Sequence, residues 1–137
     1  MGGSMSEFFQ WNQQNLGLDC EMDDEHKILI NKMNLVYDAQ AAGESYNKVT
    51  SLLEDLGAYT VEHFKSEEAY MEKIGFQGLA THKIIHQQLL KQFGEHMENY
   101  KKTQKLEESF FNFLKVWLTS HIKGIDAKYA GKHHAVA

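Results

Sequence analysis

The sequence predicts an all-α fold, an antiparallel up-down four-helix bundle with an N-terminal arm. Three observations predict it. The 137 residues include no proline, so long helices are unobstructed. Four segments carry apolar residues at three- and four-residue spacing, the period of a helix with one buried face. Short glycine-containing or polar stretches separate these segments, and short connections make antiparallel neighbours.

The elements follow in chain order. Met1-Gly2-Gly3-Ser4 before Met5 reads as an expression scar, so residues 1–4 stand outside the fold. From Ser6 to Asp19, Phe8, Phe9, Trp11, Leu16 and Leu18 surround a polar Asn12-Gln13-Gln14-Asn15 insert. The weak periodicity predicts an ordered, mostly nonhelical arm whose aromatics cover an end of the core. The first helix is expected from Met22 to Ala42, with Leu29, Met33, Val36 and Tyr37 on one stripe with His26, and Gly43 ending it. The second runs from Tyr46 to Ile74, capped by Ser45, with Leu52, Leu56, Tyr59, His63, Glu67 and Met71 in line. Gly75 and Gly78 bracket the next turn. The third helix, Leu79 to Tyr100, carries His82, Ile85, His86, Leu89 and Phe93, and Lys101-Lys102-Thr103-Gln104 makes the connection after it. The fourth, Leu106 to Ala130, carries Phe110, Phe113, Leu114, Trp117, His121 and Tyr129. One domain therefore spans residues 5–131, and residues 132–137 form a polar tail.

The formal charge of -5 and the lack of a basic stripe exclude nucleic acid as an expected partner. No stretch approaches the length needed to cross a bilayer, so no membrane role is expected. Cys20 is the only cysteine, which rules out an intrachain disulfide and suits a reducing compartment. With no basic-then-apolar leader at the N-terminus, the expected location is cytoplasmic.

Seven residues form a candidate metal-ligand set: His26, His63, Glu67, His82, His86, His121 and Asp126. His63 with Glu67, and His82 with His86, are four apart and share a helix face. His121 and Asp126 are five apart, a rotation of about 140°, so a shared ion pair there requires a local distortion that Gly124 would ease. Burying lone carboxylates or imidazolium groups is costly without a charge or ligand to compensate. Five histidines and two acids distributed over four helices therefore point to two transition-metal ions. The set is too rich in nitrogen for calcium or magnesium and contains no thiolate for structural zinc or iron–sulfur. A ferritin-like carboxylate site needs Glu-x-x-His motifs; the nearest spacing here is Asp23-x-x-His26, once.

The spaced motifs resemble those of the hemerythrin family, in its single-domain bacterial form. The resemblance is carried by Trp11-Asn12, by Asp23-Asp24-Glu25-His26 with Leu29, and by His63-Phe64-Lys65-Ser66-Glu67-Glu68 with Met71. His82-Lys83-Ile84-Ile85-His86 and the run from Trp117 through His121 to Asp126, with Tyr129, complete it. It spans about Phe9 to Tyr129, and every ligand position holds the expected residue type.

The resemblance implies a non-haem diiron centre cycling between Fe2+ and Fe3+, with a bridging oxo or hydroxo group. His82, His86 and His121 would bind one iron and His26 and His63 the other, with Glu67 and Asp126 bridging. The second iron then keeps one open position, where dioxygen would bind end-on, take two electrons from the pair and leave by the reverse steps. The expected function is reversible dioxygen binding for transport, storage or delivery to an acceptor protein, not enzymatic turnover. One alternative is sensing of oxygen, nitric oxide or redox state through a partner protein. A second is a diiron enzyme acting on peroxide, nitric oxide or ferrous iron.

Phe64, Trp117, Phe113, Leu29 and Ile85 are candidates for a dry shell around the centre. Asp23, Asp24 and backbone carbonyls are candidates to orient the histidines, and Tyr59, Tyr70 and Tyr129 either donate to carboxylates or reach solvent. His96 is rotated off the ligand face and is expected at the surface or its boundary. Glu68 is expected to face solvent, His133 and His134 belong to the tail, and nothing marks Cys20 as reactive.

Overall fold

The computed structural model describes residues 22–121. The expected arm with Trp11 and Asn12, Cys20, Gly124, Asp126, Tyr129, the tail histidines, residues 1–4 and 132–137 lie outside the described residues.

Within the described residues the chain forms four helices: α1 (Met22–Ala41), α2 (Tyr46–Lys73), α3 (Leu79–Thr103) and α4 (Glu108–Ser120). α1 packs along α2, and α2 along α3. Short turns reverse the chain between successive helices, giving the up-down bundle that the periodicity predicts. Three acidic residues, Asp23, Asp24 and Glu25, occupy the first turn of α1, where negative charge complements the helix dipole. The Ser45 side chain accepts a hydrogen bond from the Lys48 backbone at 3.1 Å and caps α2, as expected.

Two helices end in the same way. At the end of α1, Gly43 takes a positive φ of 74°, Glu44 N–H reaches back to Ala39 C=O at 3.0 Å, and Gly43 N–H to Gln40 C=O at 3.1 Å. At the end of α2, Gly75 has φ 68°, with Phe76 N–H on Met71 C=O at 2.9 Å and Gly75 N–H on Glu72 C=O at 3.1 Å. Both are Schellman turns, which satisfy the last carbonyls through a left-handed residue that glycine occupies without strain.

The end of α3 differs from the sequence expectation. Lys101, Lys102 and Thr103 belong to the helix rather than to a connection. No glycine or proline interrupts them, and lysines at a helix C-terminus are favoured by the dipole. The stop comes at Gln104, which takes the left-handed conformation at φ 59° and donates its N–H to Tyr100 C=O. α4 starts at Glu108 rather than Leu106, although the Leu106 side chain is buried as the stripe requires, and the expected run to Ala130 passes outside the described residues.

The core holds Leu29, Met33, Val36, Leu53, Leu56, Met71, Phe110, Leu114 and Leu118. Tyr37, expected on the α1 stripe, is instead exposed, with its ring edge against Phe111 at 5.1 Å. At one end of the bundle, buried Tyr100 stacks on Tyr46 and hydrogen-bonds the Tyr46 carbonyl at 3.1 Å, tying α3 to the start of α2.

Glycine substitutions separate backbone strain from packing, because an added Cβ meets no atom within 4 Å at Gly75 or Gly94. Gly75→Ala is expected to destabilise by about 1–2 kcal/mol, the cost of a left-handed non-glycine residue. Gly94→Ala, on the exposed face of α3, is expected to stabilise by about 0.4–1 kcal/mol. Urea midpoints of the two variants should move in opposite directions from the parent.

Candidate metal centre

Each helix delivers polar side chains to one level of the core. α1 supplies His26, α2 supplies His63 and Glu67, α3 supplies His82 and His86, and His121 follows the last turn of α4. All six are buried, and Glu67 is fully so. The four-residue spacings explain why α2 and α3 each give two; His121 continues the helical backbone of α4 at φ -65° and ψ -47°.

The donor atoms fall into two groups that share one residue. Glu67, His82, His86 and His121 form the first, and His26, His63 and Glu67 the second, with the ligand-type atoms of each group within 4.8 Å of one another. The two carboxylate oxygens of Glu67 divide between them. Oε1 lies 3.0 Å from His86 Nε2 and 3.8 Å from His121 Nε2. Oε2 lies 3.2 Å from His26 Nε2 and 3.4 Å from His63 Nε2. One carboxylate thus faces two imidazole clusters, one through each oxygen. The ring contacts repeat the division: His26 packs edge-on to His63 at 4.8 Å, while His82 packs edge-on to His86 at 4.7 Å and to His121 at 5.1 Å.

The far side of two rings is also held. His63 Nδ1 is 2.7 Å from Glu25 Oε1, and Ser66 Oγ donates to the other Glu25 oxygen at 2.6 Å. His86 Nδ1 is 2.9 Å from Glu68 Oε2. An ionised carboxylate accepts from Nδ1–H, so each outer acid holds its ring by Nδ1 and leaves Nε2, the atom facing Glu67, as the one available to a metal. These two acids are what sequence reasoning missed. Glu68 does not face solvent as expected; it is half-buried and turned onto α3. Of the acids that open α1, Glu25 meets a ligand histidine, while the expected Asp24 is exposed and Asp23 is buried. The available signal was an acid directly beside a candidate ligand on each helix, but only the neighbouring helix turns that adjacency into a contact.

Electrostatics follow from burial. Burial opposes ionisation of Glu67, yet the charge of His63 and the facing imidazoles of His121, His26 and His63 outweigh it and hold the carboxyl well below its usual range. Burial pushes His82 down to about 3; the Glu67 charge resists this, while His121, His86 and His63 add to it. Burial also opposes ionisation of Glu25, but hydrogen bonds from His63 and Ser66 and the His63 charge leave it lowered.

Aromatic rings close the centre. Phe64 stacks flat on His86, with centroids 3.9 Å apart and planes 3° from parallel. Trp117 meets the Phe64 face edge-on at 6.0 Å. Of the expected shell, Phe64, Trp117 and Leu29 are buried, while Ile85 and Phe113 are half-buried. His96 stands apart, half-buried against the Phe113 and Phe110 rings at 4.9 and 5.5 Å, the boundary position expected of it.

The donor chemistry fits a pair of transition-metal ions. Imidazole nitrogens and a carboxylate converge in a buried place, with histidines on both oxygens of Glu67. The separate oxygens of Glu67 suit one ion each.

Known proteins share this arrangement of helices. Residues 20–132 match the family model described as the Hemerythrin HHE cation binding domain. The chain is 32% identical to the bacteriohemerythrin of Pseudomonas paraeruginosa over 115 residues, covering 84% of this chain and 74% of that protein. It is also 32% identical to the myohemerythrin of Theromyzon tessulatum over 124 residues, covering 90% and 92% of the two. A crystal structure of wild-type hemerythrin aligns with a TM-score of 0.81 at 28% identity, over 89% of this chain and 95% of that one.

The metal-free chain should lose stability on acidification. Between the ordinary histidine value of 6.5 and about 3, the unfolded chain protonates His82 while the folded chain does not, so stability falls across that window. Glu67 acts in the same direction: its stabilisation, present above the ordinary 4.5, is lost as pH falls toward its lowered value. Urea midpoints of the apoprotein are expected to decline steadily from pH 7 to pH 4; a flat profile would contradict the neutral His82 and ionised Glu67.

Proposed function

The chain belongs to the hemerythrin family, and from that premise we propose that its centre holds two iron ions and binds dioxygen reversibly. His82, His86 and His121 are assigned to one ion, His26 and His63 to the other, and Glu67 with Asp126 to both. The observation that carries the assignment is the division of Glu67, one oxygen to each imidazole cluster. Asp126 lies outside the described residues; its support is that the family match over residues 20–132 spans it.

The bound iron pair supplies the electrons for reversible dioxygen binding. Everything else is the work of side chains. Two imidazoles, His26 and His63, would hold one ion where three would hold the other, and that deficit would leave room for a diatomic ligand. Glu67 keeps both ions under one negative charge and, being fully buried, keeps its oxygens from water. Phe64, Trp117 and Leu29 exclude water that would otherwise reach the centre. The activity assigned is binding for transport, storage or delivery rather than catalytic turnover.

We take the functional unit as residues 5–131; the family match over residues 20–132 covers every assigned ligand. No helix among the described residues is long and apolar enough to cross a membrane. We place the protein in the cytoplasm, supported by a single cysteine, Cys20, that has no intrachain partner.

Elemental analysis after anaerobic, iron-replete purification tests the assignment. Two irons per chain are expected. His121→Ala and Glu67→Ala should lose iron, with affinity falling by more than the roughly 10–100-fold typical of outer contacts, while His96→Ala keeps both. Air added to the reduced protein should raise a visible absorption band that disappears when oxygen is removed. Full occupancy in the His121 variant, or direct oxidation with no reversible band, overturns the reading.

A further inference from the structure

Glu25 and Glu68 each hold a ligand histidine from outside the centre, one in each imidazole cluster. Glu25 holds His63, of the His26–His63 cluster, at 2.7 Å; Glu68 holds His86, of the three-histidine cluster, at 2.9 Å. Both carboxylates reach across between helices, from α1 to α2 and from α2 to α3. Each contact has a second support. Ser66 donates to the second oxygen of Glu25 at 2.6 Å, and His86 is pinned between Glu68 and the flat face of Phe64.

We propose that Glu25 and Glu68 are a matched pair of positioning residues, each serving one iron through its histidine and biasing that iron toward the ferric state. The proposal rests on the diiron assignment above. A carboxylate that accepts Nδ1–H fixes which nitrogen is free to bind metal and draws the proton outward, which makes Nε2 a stronger donor. A stronger donor, with a nearby negative charge, favours Fe3+ over Fe2+. Two such acids, one per ion, apply this bias to both ions of a centre that must yield electrons to dioxygen and recover them.

Glutamine substitutions separate charge from shape, because the amide oxygen can still accept Nδ1–H while the negative charge is gone. Glu25→Gln and Glu68→Gln are each expected to retain two irons and to shift the reduction potential positive. A tenfold loss of ferric relative to ferrous stabilisation corresponds to about 59 mV for a one-electron couple. Glu25→Ala and Glu68→Ala, which remove the acceptor as well, should weaken metal binding by about 10–100-fold, read as zinc titration of the apoprotein. Potentials are measured by spectroelectrochemistry beside metal content. Wild-type potentials in both glutamine variants overturn the proposal, and a shift in only one overturns the pairing. Should a glutamine variant fail to hold iron, its own zinc titration decides: weakened binding supports the role and unchanged binding overturns it. Failure of the diiron assignment itself shows separately, as fewer than two irons in the wild-type chain.

Discussion

A fully buried carboxylate is the constraint around which this bundle is arranged. An ionised glutamate at the centre of a helical core is costly unless charge or hydrogen bonds compensate it. Imidazoles surround Glu67: His26 from α1, His63 from α2, His86 from α3 and His121 just past α4. Each compensating group must arrive at the same height along the bundle, so the requirement reaches outward into helix register. The apolar stripes supply bulk and adhesion. The carboxylate and its ring of histidines determine which residues lie opposite one another.

α2 carries a disproportionate part of that geometry. Each residue along a helix turns by about 100°, so six consecutive positions sweep every direction. Here five of the six, all but exposed Lys65, are used. His63 and Glu67 point inward, Phe64 lies against His86, Ser66 braces Glu25, and Glu68 reaches α3. Such crowding of roles into one and a half turns explains why the segment reads so distinctively as a sequence. It also makes α2 the element against which α1 and α3 are both aligned.

The fold and the inward-facing ligands were legible because both depend on periodicity within a single helix. His63 with Glu67, and His82 with His86, need only the spacing of residues on one face. Glycines at positions 43 and 75 marked true stops because a left-handed turn has a residue preference. The stop at Gln104 was less visible: the polar run before it is also good helix material, and a non-glycine residue takes the left-handed position. Tyr37 was misread because an aromatic at the edge of a stripe can lie along the surface and still touch a neighbour, here Phe111. The outer acids were hidden for a different reason. Glu25 and Glu68 each sit one residue from a candidate ligand, so on their own helices they point well away from it. Their partners lie on another helix, and that relation depends on how helices dock rather than on order along the chain.

Those two acids have a consequence for how such a protein changes over generations. Glu25 and Glu68 keep side-chain exposures of 25% and 27%, whereas the histidines they touch are almost wholly enclosed. The interior is close-packed, and there a change of even one methylene is felt. The rim is under no such restriction. A lysine gained or lost beside either acid alters how strongly it pulls on its imidazole, yet leaves every buried atom in place. On the role proposed for these acids, the balance of the centre is therefore partly a heritable property of the surface. Lineages with the same interior have room to diverge in it by small charge substitutions, with no intermediate whose core fails to pack.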